Sequence, residues 1–251
     1  GVQYTLVSQC LEITINPELL KEVLEMAVDF MAANLIGAKA LRKYTGEANF
    51  IATIIPTWRP FLNALWAALS KHDKKKQLGG KRKSKGPKVR RWTKQVRKSL
   101  IFIRAFLTVK KHATIRTYNL DDYFGKFEDI ITAVDASPWG LGGVLYRKGR
   151  PWRWFSSPLC ADDLARFGHE LGDHRGQQTW EALAVLVALR LWAPTLKRLR
   201  HVLEVKSDSM VALTMLSKLK AKGASTSMIC QEVALDLSEG VYDPRICSHT
   251  P

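Results

Sequence analysis

The apolar positions of this chain follow two rhythms. Up to about residue 112 they recur every three or four positions, the spacing of one helix face. Leu19, Leu20, Val23, Leu24, Ala27, Phe30 and Met31 keep that spacing, predicting an amphipathic helix to about Leu35. Asn16-Pro17-Glu18 marks its start. Asn caps free N–H groups, Pro has no N–H to leave unpaired in the first turn, and Glu meets the positive end of the dipole. A second helix is predicted over about 38–55, stopping before Pro56. A third, over about 60–70, carries Phe61, Leu62, Leu65 and Trp66. Trp92 to Val109 resumes the helical pattern through Val96, Leu100, Ile103, Phe106 and Leu107. Residues 3–15 differ. They are β-branched and partly alternating, and predict one or two short strands.

Beyond about residue 113 strand-like runs appear. Ile130–Ala136 and Gly142–Arg147 read as strands, Lys148-Gly149-Arg150-Pro151 as a turn, and Trp152–Ser156 as a third strand. Helices are predicted over Asp162–Leu171 and Gln177–Ala193, a strand over Val202–Ser207, and helices over Met210–Lys220 and Ser227–Glu239. Arg245–His249 reads as the start of another strand. Three strands on short turns, then helix, strand, helices and strand, describe an α/β domain with a mixed sheet. The predicted division is a mostly helical 1–112 and an α/β 113–251.

Charge changes the picture at one place. The chain carries +16, and the stretch from Lys71 to Lys98 holds 14 Lys and Arg against one acid, Asp73, or +13. The other residues are near balance, with 25 basic and 22 acidic groups. Residues 71–91 are also of low complexity and contain glycine, so a mobile loop is predicted. A concentrated positive stretch attracts a polyanion by counterion release, and nucleic acid is the usual partner. Lys81, Arg82, Lys83, Lys85, Arg90 and Arg91 are the candidate contacts; a solvated tail is the alternative. The 46% of apolar residues excludes a disordered or collagen-like chain. No uninterrupted apolar run reaches the roughly 18 residues of a membrane span, so no membrane partner is expected. Gly1 opens the chain without a basic, apolar leader. Cys10, Cys160, Cys230 and Cys247 lie far apart with no CxxC pair, as expected of reduced intracellular thiols.

Three acids then stand out. In 131–146, ITAVDASPWGLGGVLY, Asp135 shares a strand face with Ile131 and Ala133. An ionised Asp there needs a partner, and a metal ion is one; the alternative is a turn begun by Asp-Ala-Ser-Pro. Gly140, Gly142 and Gly143 lack a following GK[ST], so they read as twist or close-approach glycines rather than a phosphate loop. Glu181 opens a helix apolar on nearly every side, which implies burial; the alternative is a carboxylate favouring the helix dipole. Asp208 closes a strand and opens a helix, where it reads either as a site residue or as an N-cap. Clustered carboxylates repel and call for a cation, and all-oxygen ligands suit Mg²⁺ or Mn²⁺. His169-Glu170 and His174 do not make HExxH, since the second His falls at i+5. Trp152, Trp154, Trp180 and Trp192 are read as core.

At these residues the chain resembles a known family. TAVDASPWGLGGVLY (132–146), WEALAVLVALRLW (180–192) and EVKSDSMVAL (204–213) resemble the ribonuclease H domain of retroelement polyproteins. LRKYTGEANFIATIIPTWRPFLNALWAAL (41–69) is similar to the thumb and connection that follow a reverse-transcriptase palm, and YTLVSQCLEITI (4–15) to the last palm strands. The resemblance implies a ribonuclease H-like domain with a mixed sheet flanked by helices. It implies an endonuclease that cuts the RNA strand of an RNA–DNA hybrid with two Mg²⁺ or Mn²⁺ ions. Asp135 would be shared by both ions, Glu181 and Asp208 would complete the set, and a 2′-OH contact would select RNA.

Further expectations follow from the resemblance. The family's fourth acid lies on a helix after the last strand, so the chain is expected to stop short of it. The paired aspartates of the polymerase are not in this chain. It is expected to be a polyprotein fragment, with the rest of the polyprotein as partner, inside the cell in cytoplasm or nucleus. The alternative function is a non-catalytic, degenerate or truncated nucleic-acid-binding module of the same polyprotein.

Overall fold

The computed structural model describes residues 1–77, 90–109, 114–119, 128–197 and 201–241. Lys81, Arg82, Lys83, Lys85, Cys247 and the strand predicted over 245–249 lie outside the described residues. Internal contacts gather into two compact units, Gly1–Phe124 and Gly125–Pro251.

In the first unit, strands β1 (Val2–Val7) and β2 (Cys10–Ile15) form an antiparallel hairpin turning at Ser8. Helix α1 (Pro17–Ala32) follows, and the Asn16 side chain accepts a hydrogen bond from the Glu18 N–H at 2.9 Å. Strand β3 (Leu35–Gly37), helix α2 (Ala38–Ile54), a 3-10 turn at Pro56–Trp58 and helix α3 (Arg59–Gln77) come next. Strand β4 (Arg90–Trp92), a 3-10 turn at Thr93–Gln95 and helix α4 (Arg97–Val109) lead to β5 (Ile115–Asn119). β5 pairs antiparallel with β2, which carries this unit past residue 112. Of the helix-spaced positions, Val23, Ala27, Leu62, Leu65, Val96, Leu100 and Ile103 are buried in the core, and Leu41, Ile51 and Trp58 are fully enclosed with them.

Three boundaries differ from the sequence pattern. Residues 71–77, predicted as loop, continue α3, because Lys and Gln are good helix formers and no Gly intervenes before Gly79. Leu35 and Trp92, predicted as helix, instead pair with each other across β3 and β4. Long-range strand pairing overrides local periodicity at both helix ends.

The second unit is α/β. Strands β6 (Glu128–Ser137), β7 (Gly140–Arg147), β8 (Arg150–Pro158) and β9 (His201–Lys206) form a mixed sheet in the order β8-β7-β6-β9. Helices α5 (Ala161–Phe167), α6 (Gln177–Leu196), α7 (Met210–Lys218) and α8 (Ala224–Ser238) accompany it. α5 is shorter than predicted because Gly168, at φ +66°, ends it in the left-handed conformation. A mixed sheet flanked by helices is consistent with a ribonuclease H-like domain.

β6 runs antiparallel to β7 but parallel to β9. Ile130, Thr132, Val134 and Ala136 are buried on one face of β6, and Leu141 and Leu145 of β7 join them in the core formed with α6. Period two puts Ile131, Ala133 and Asp135 on the opposite face. Trp180 and Trp192 are buried. Trp152 and Trp154 are not core, contrary to the sequence pattern: they lie on edge strand β8, where Trp154 is 76% exposed. Its pairing through Val144 to Ala133 places it on the sheet face away from α6. The segment His174–Leu196 is long and apolar enough to cross a membrane by length and composition, but 67% of its most apolar stretch is buried in this unit.

Gly143 pairs with Val134 on one side and Phe155 on the other. A Cβ there would lie 2.6 Å from the Phe155 ring and 3.2 Å from Val134. The ring cannot swing freely, because it packs edge-on against Trp192. Gly143→Ala is therefore expected to destabilise the protein by about 1–3 kcal/mol, the usual cost of overpacking. Urea denaturation checks this; an unchanged midpoint would contradict the packing described.

Candidate functional site

Parallel pairing brings the acids to one edge. Ala133 of β6 is registered with Lys206 of β9, and both strands run toward the same end of the sheet. Asp135 and Asp208 each follow their registered residue by two positions. They therefore arrive together at the carboxyl ends of adjacent parallel strands, where open α/β sheets present their functional groups. Glu181 comes from the N-terminal part of α6, which packs on β6. The ligand oxygens of Asp135, Glu181 and Asp208 lie within 4.8 Å of one another.

The simpler roles for Asp135 and Asp208 are filled by others. The β6–β7 turn is held by Ser137, whose Oγ accepts from the N–H groups of Trp139 and Gly140 at 3.3 and 3.2 Å. Asp135 lies within β6, before that turn, and accepts only its neighbour's N–H, from Ala136 at 2.8 Å, among the bonds described. The N-cap of α7 is Ser209, whose Oγ accepts from the Ala212 N–H at 3.3 Å. Asp208 is exposed and does not cap.

Glu181 is the buried member, with 4% of its surface exposed. The Gln177 amide, one turn earlier, donates to its Oε1 at 2.7 Å and also to the Ala136 carbonyl at 2.6 Å. That amide ties the helix carboxylate to the strand carrying Asp135. Ser207 donates to the other Glu181 oxygen at 3.5 Å. Burial pushes the Glu181 carboxyl up to about 7, with the charges of Asp208 and Asp135 adding to the rise; the bonds from Gln177 and Ser207 oppose it.

These residues fit a hard divalent cation. Three carboxylates supply an all-oxygen set, two stand open to solvent, and their mutual repulsion raises the proton affinity of the third. Sequence reasoning missed the groove beside them. Asp135, Ser137, Trp139, Gly142, Ser156 and Pro158 line an open cavity of about 460 Å³. Trp139 is exposed at its rim, with its ring against Gly172 and edge-on to His174. The only sequence signal for it is an apolar residue in a turn.

Arg90 and Arg91 occupy β4 in the first unit. Arg90 is exposed, whereas Arg91 is half-buried and donates through Nε to the Ala68 carbonyl at 2.6 Å.

No protein-family model matches the chain, and neither does any curated protein. Solved structures do show a likeness. A foamy viral protease–reverse transcriptase in complex with dsDNA is 16% identical over 99% of this chain and 45% of its own, with a TM-score of 0.33. The same kind of protein in complex with an RNA/DNA hybrid is 16% identical over 98% of this chain and 28% of its own, at 0.29. The chain thus spans less than half the length of either. These likenesses are weak, and the site stands on its own geometry.

The proton held by Glu181 gives a signed expectation. Its folded pKa, about 7, lies above the ordinary carboxylate value of 4.5. Metal-free stability should therefore fall as pH rises from about 4.5 through about 7, because the unfolded chain ionises more easily. A divalent cation needs the ionised form and should reverse this. Mn²⁺ is expected to raise the melting temperature more at pH 8 than at pH 6, read by scanning fluorimetry. A larger shift at pH 6 would contradict the site.

Proposed function

We propose that the second unit is a divalent-metal-dependent endonuclease that cuts the RNA strand of RNA–DNA hybrids, within a fragment of a retroelement reverse transcriptase/ribonuclease H polyprotein. The observation that carries this reading is the convergence of Asp135, Glu181 and Asp208 at one sheet edge. The resemblance of the segments around these three residues supports the choice of reaction.

Asp135, Glu181 and Asp208 would hold Mg²⁺ or Mn²⁺, two ions in this reading. When bound, such ions activate water and stabilise the leaving oxygen in phosphodiester cleavage. The chain's own residues do the rest. Gln177 fixes the direction of the Glu181 carboxylate. Gly142, opposite Asp135 in the ladder, keeps the sheet face beside that carboxylate free of a side chain. The open groove past Trp139 leaves room for a nucleic-acid backbone. The +13 stretch from Lys71 to Lys98 raises the local concentration of a polyanion.

The test is cleavage of a labelled RNA–DNA hybrid with Mg²⁺ by the chain and by Asp135→Asn. The substitution keeps the side chain's shape and removes one ligand charge. Cleavage is expected to fall to background while hybrid affinity stays within about twofold. Cleavage that survives Asp135→Asn would reject the role given to this residue. A wild-type chain that binds hybrid without cutting it would favour the non-catalytic reading.

A further inference from the structure

The described end of the basic stretch builds a pocket of its own in the first unit. Met31, Asn34, Trp92, Thr93, Lys94 and Arg97 border a cavity of about 260 Å³. Its frame is held by strand pairing, hydrogen bonds and burial. Trp92 is held by the β3–β4 ladder opposite Leu35. Thr93 is buried beneath it, donating its N–H to the Asn34 carbonyl at 3.0 Å and its Oγ1 to the Ala33 carbonyl at 2.5 Å. Val96 is fully enclosed, whereas Lys94 and Arg97 are exposed.

The contents of the pocket are not those of a solvated surface. Trp92, a large aromatic, is 54% exposed instead of packed. Lys94 and Arg97 have no acidic partner among the described residues, and the first turn of α4 contains no acid. Arg91, by contrast, is committed to the Ala68 carbonyl. An exposed aromatic side chain bordering the same cavity as two cations without an acidic partner among the described residues matches a base flanked by phosphates. The base must be unpaired, since bases inside a duplex present only their edges. The cavity lies below the usual 300–1,000 Å³ range of ligand pockets, suiting one base and not a folded ligand.

We infer that Trp92, Lys94 and Arg97 form a single-stranded nucleic-acid site, with one base stacked on Trp92 and neighbouring phosphates on Lys94 and Arg97. The site is separate in its residues from the carboxylate cluster and needs no metal.

The experiment measures binding of a fluorescein-labelled 12-nucleotide oligo(dT) to the whole chain by anisotropy, in EDTA. The background is Asp135→Asn, so neither cleavage nor a metal contributes. Lys94→Gln/Arg97→Gln is expected to reduce the slope of log K against log salt by about 1.4, two phosphate contacts on a single strand. Trp92→Ala is expected to weaken binding roughly 5- to 150-fold, the range for loss of one stacked base. Trp92→Phe should restore most of that loss, which separates stacking from a folding defect. An abasic strand of equal length should bind more weakly and be indifferent to Trp92→Ala. The inference is overturned if the double variant keeps the wild-type slope. It is also overturned if oligo(dT) and an equally charged poly-glutamate peptide bind alike and Trp92→Ala changes neither; that result would point to an acidic protein partner. Failure of hybrid cleavage has no bearing on any of these readouts.

Discussion

The constraint on which the second unit's reading depends is electrostatic. Three carboxylates sit within 4.8 Å of one another, one of them buried. At an effective dielectric near 20, two unit charges at that distance repel by about 3.5 kcal/mol, less where water reaches them. A chain can tolerate such a cluster by keeping a proton or by holding a cation. Below about pH 7 Glu181 takes the first course in the metal-free protein, since burial and its acidic neighbours raise its proton affinity. The second course is the one that chemistry can use.

Fold and site are linked by register. The parallel pairing of β6 with β9 sends two strand ends to the same edge, and the packing of α6 on β6 brings the third acid there. The hydrophobic core under the sheet therefore has a second role. Trp180, Val185 and Leu189 hold α6 in place, and the Gln177 bridge to Ala136 fixes its first turn against the strand. A slip of one residue in the β6–β9 register would turn Asp135 to the other face and disperse the cluster.

Much of this was legible in the sequence because it rests on local patterns. The helical spacing of Val23, Ala27, Leu65, Leu100 and Ile103 marked the first core, and the α/β order of the second unit followed from alternation and turns. The three acids could be picked out one by one, each with a plain alternative. Deciding against the turn for Asp135 and the cap for Asp208 needed the folded structure, because only it shows Ser137 holding the turn and Ser209 the cap. Trp154 misled because a strand's two faces look alike when both carry apolar residues, and only the sheet order makes β8 an edge. The β3–β4 pairing was invisible for a different reason. Its strands are three residues each and join segments more than fifty residues apart, so no local signal exists.

The most direct measurement is anomalous diffraction from crystals soaked in Mn²⁺ at pH 8. Anomalous density is expected among the carboxylates of Asp135, Glu181 and Asp208, and is expected to be lost in Asp135→Asn. Carboxylates pointing apart with manganese bound elsewhere, or density unchanged by that substitution, would contradict the cation site.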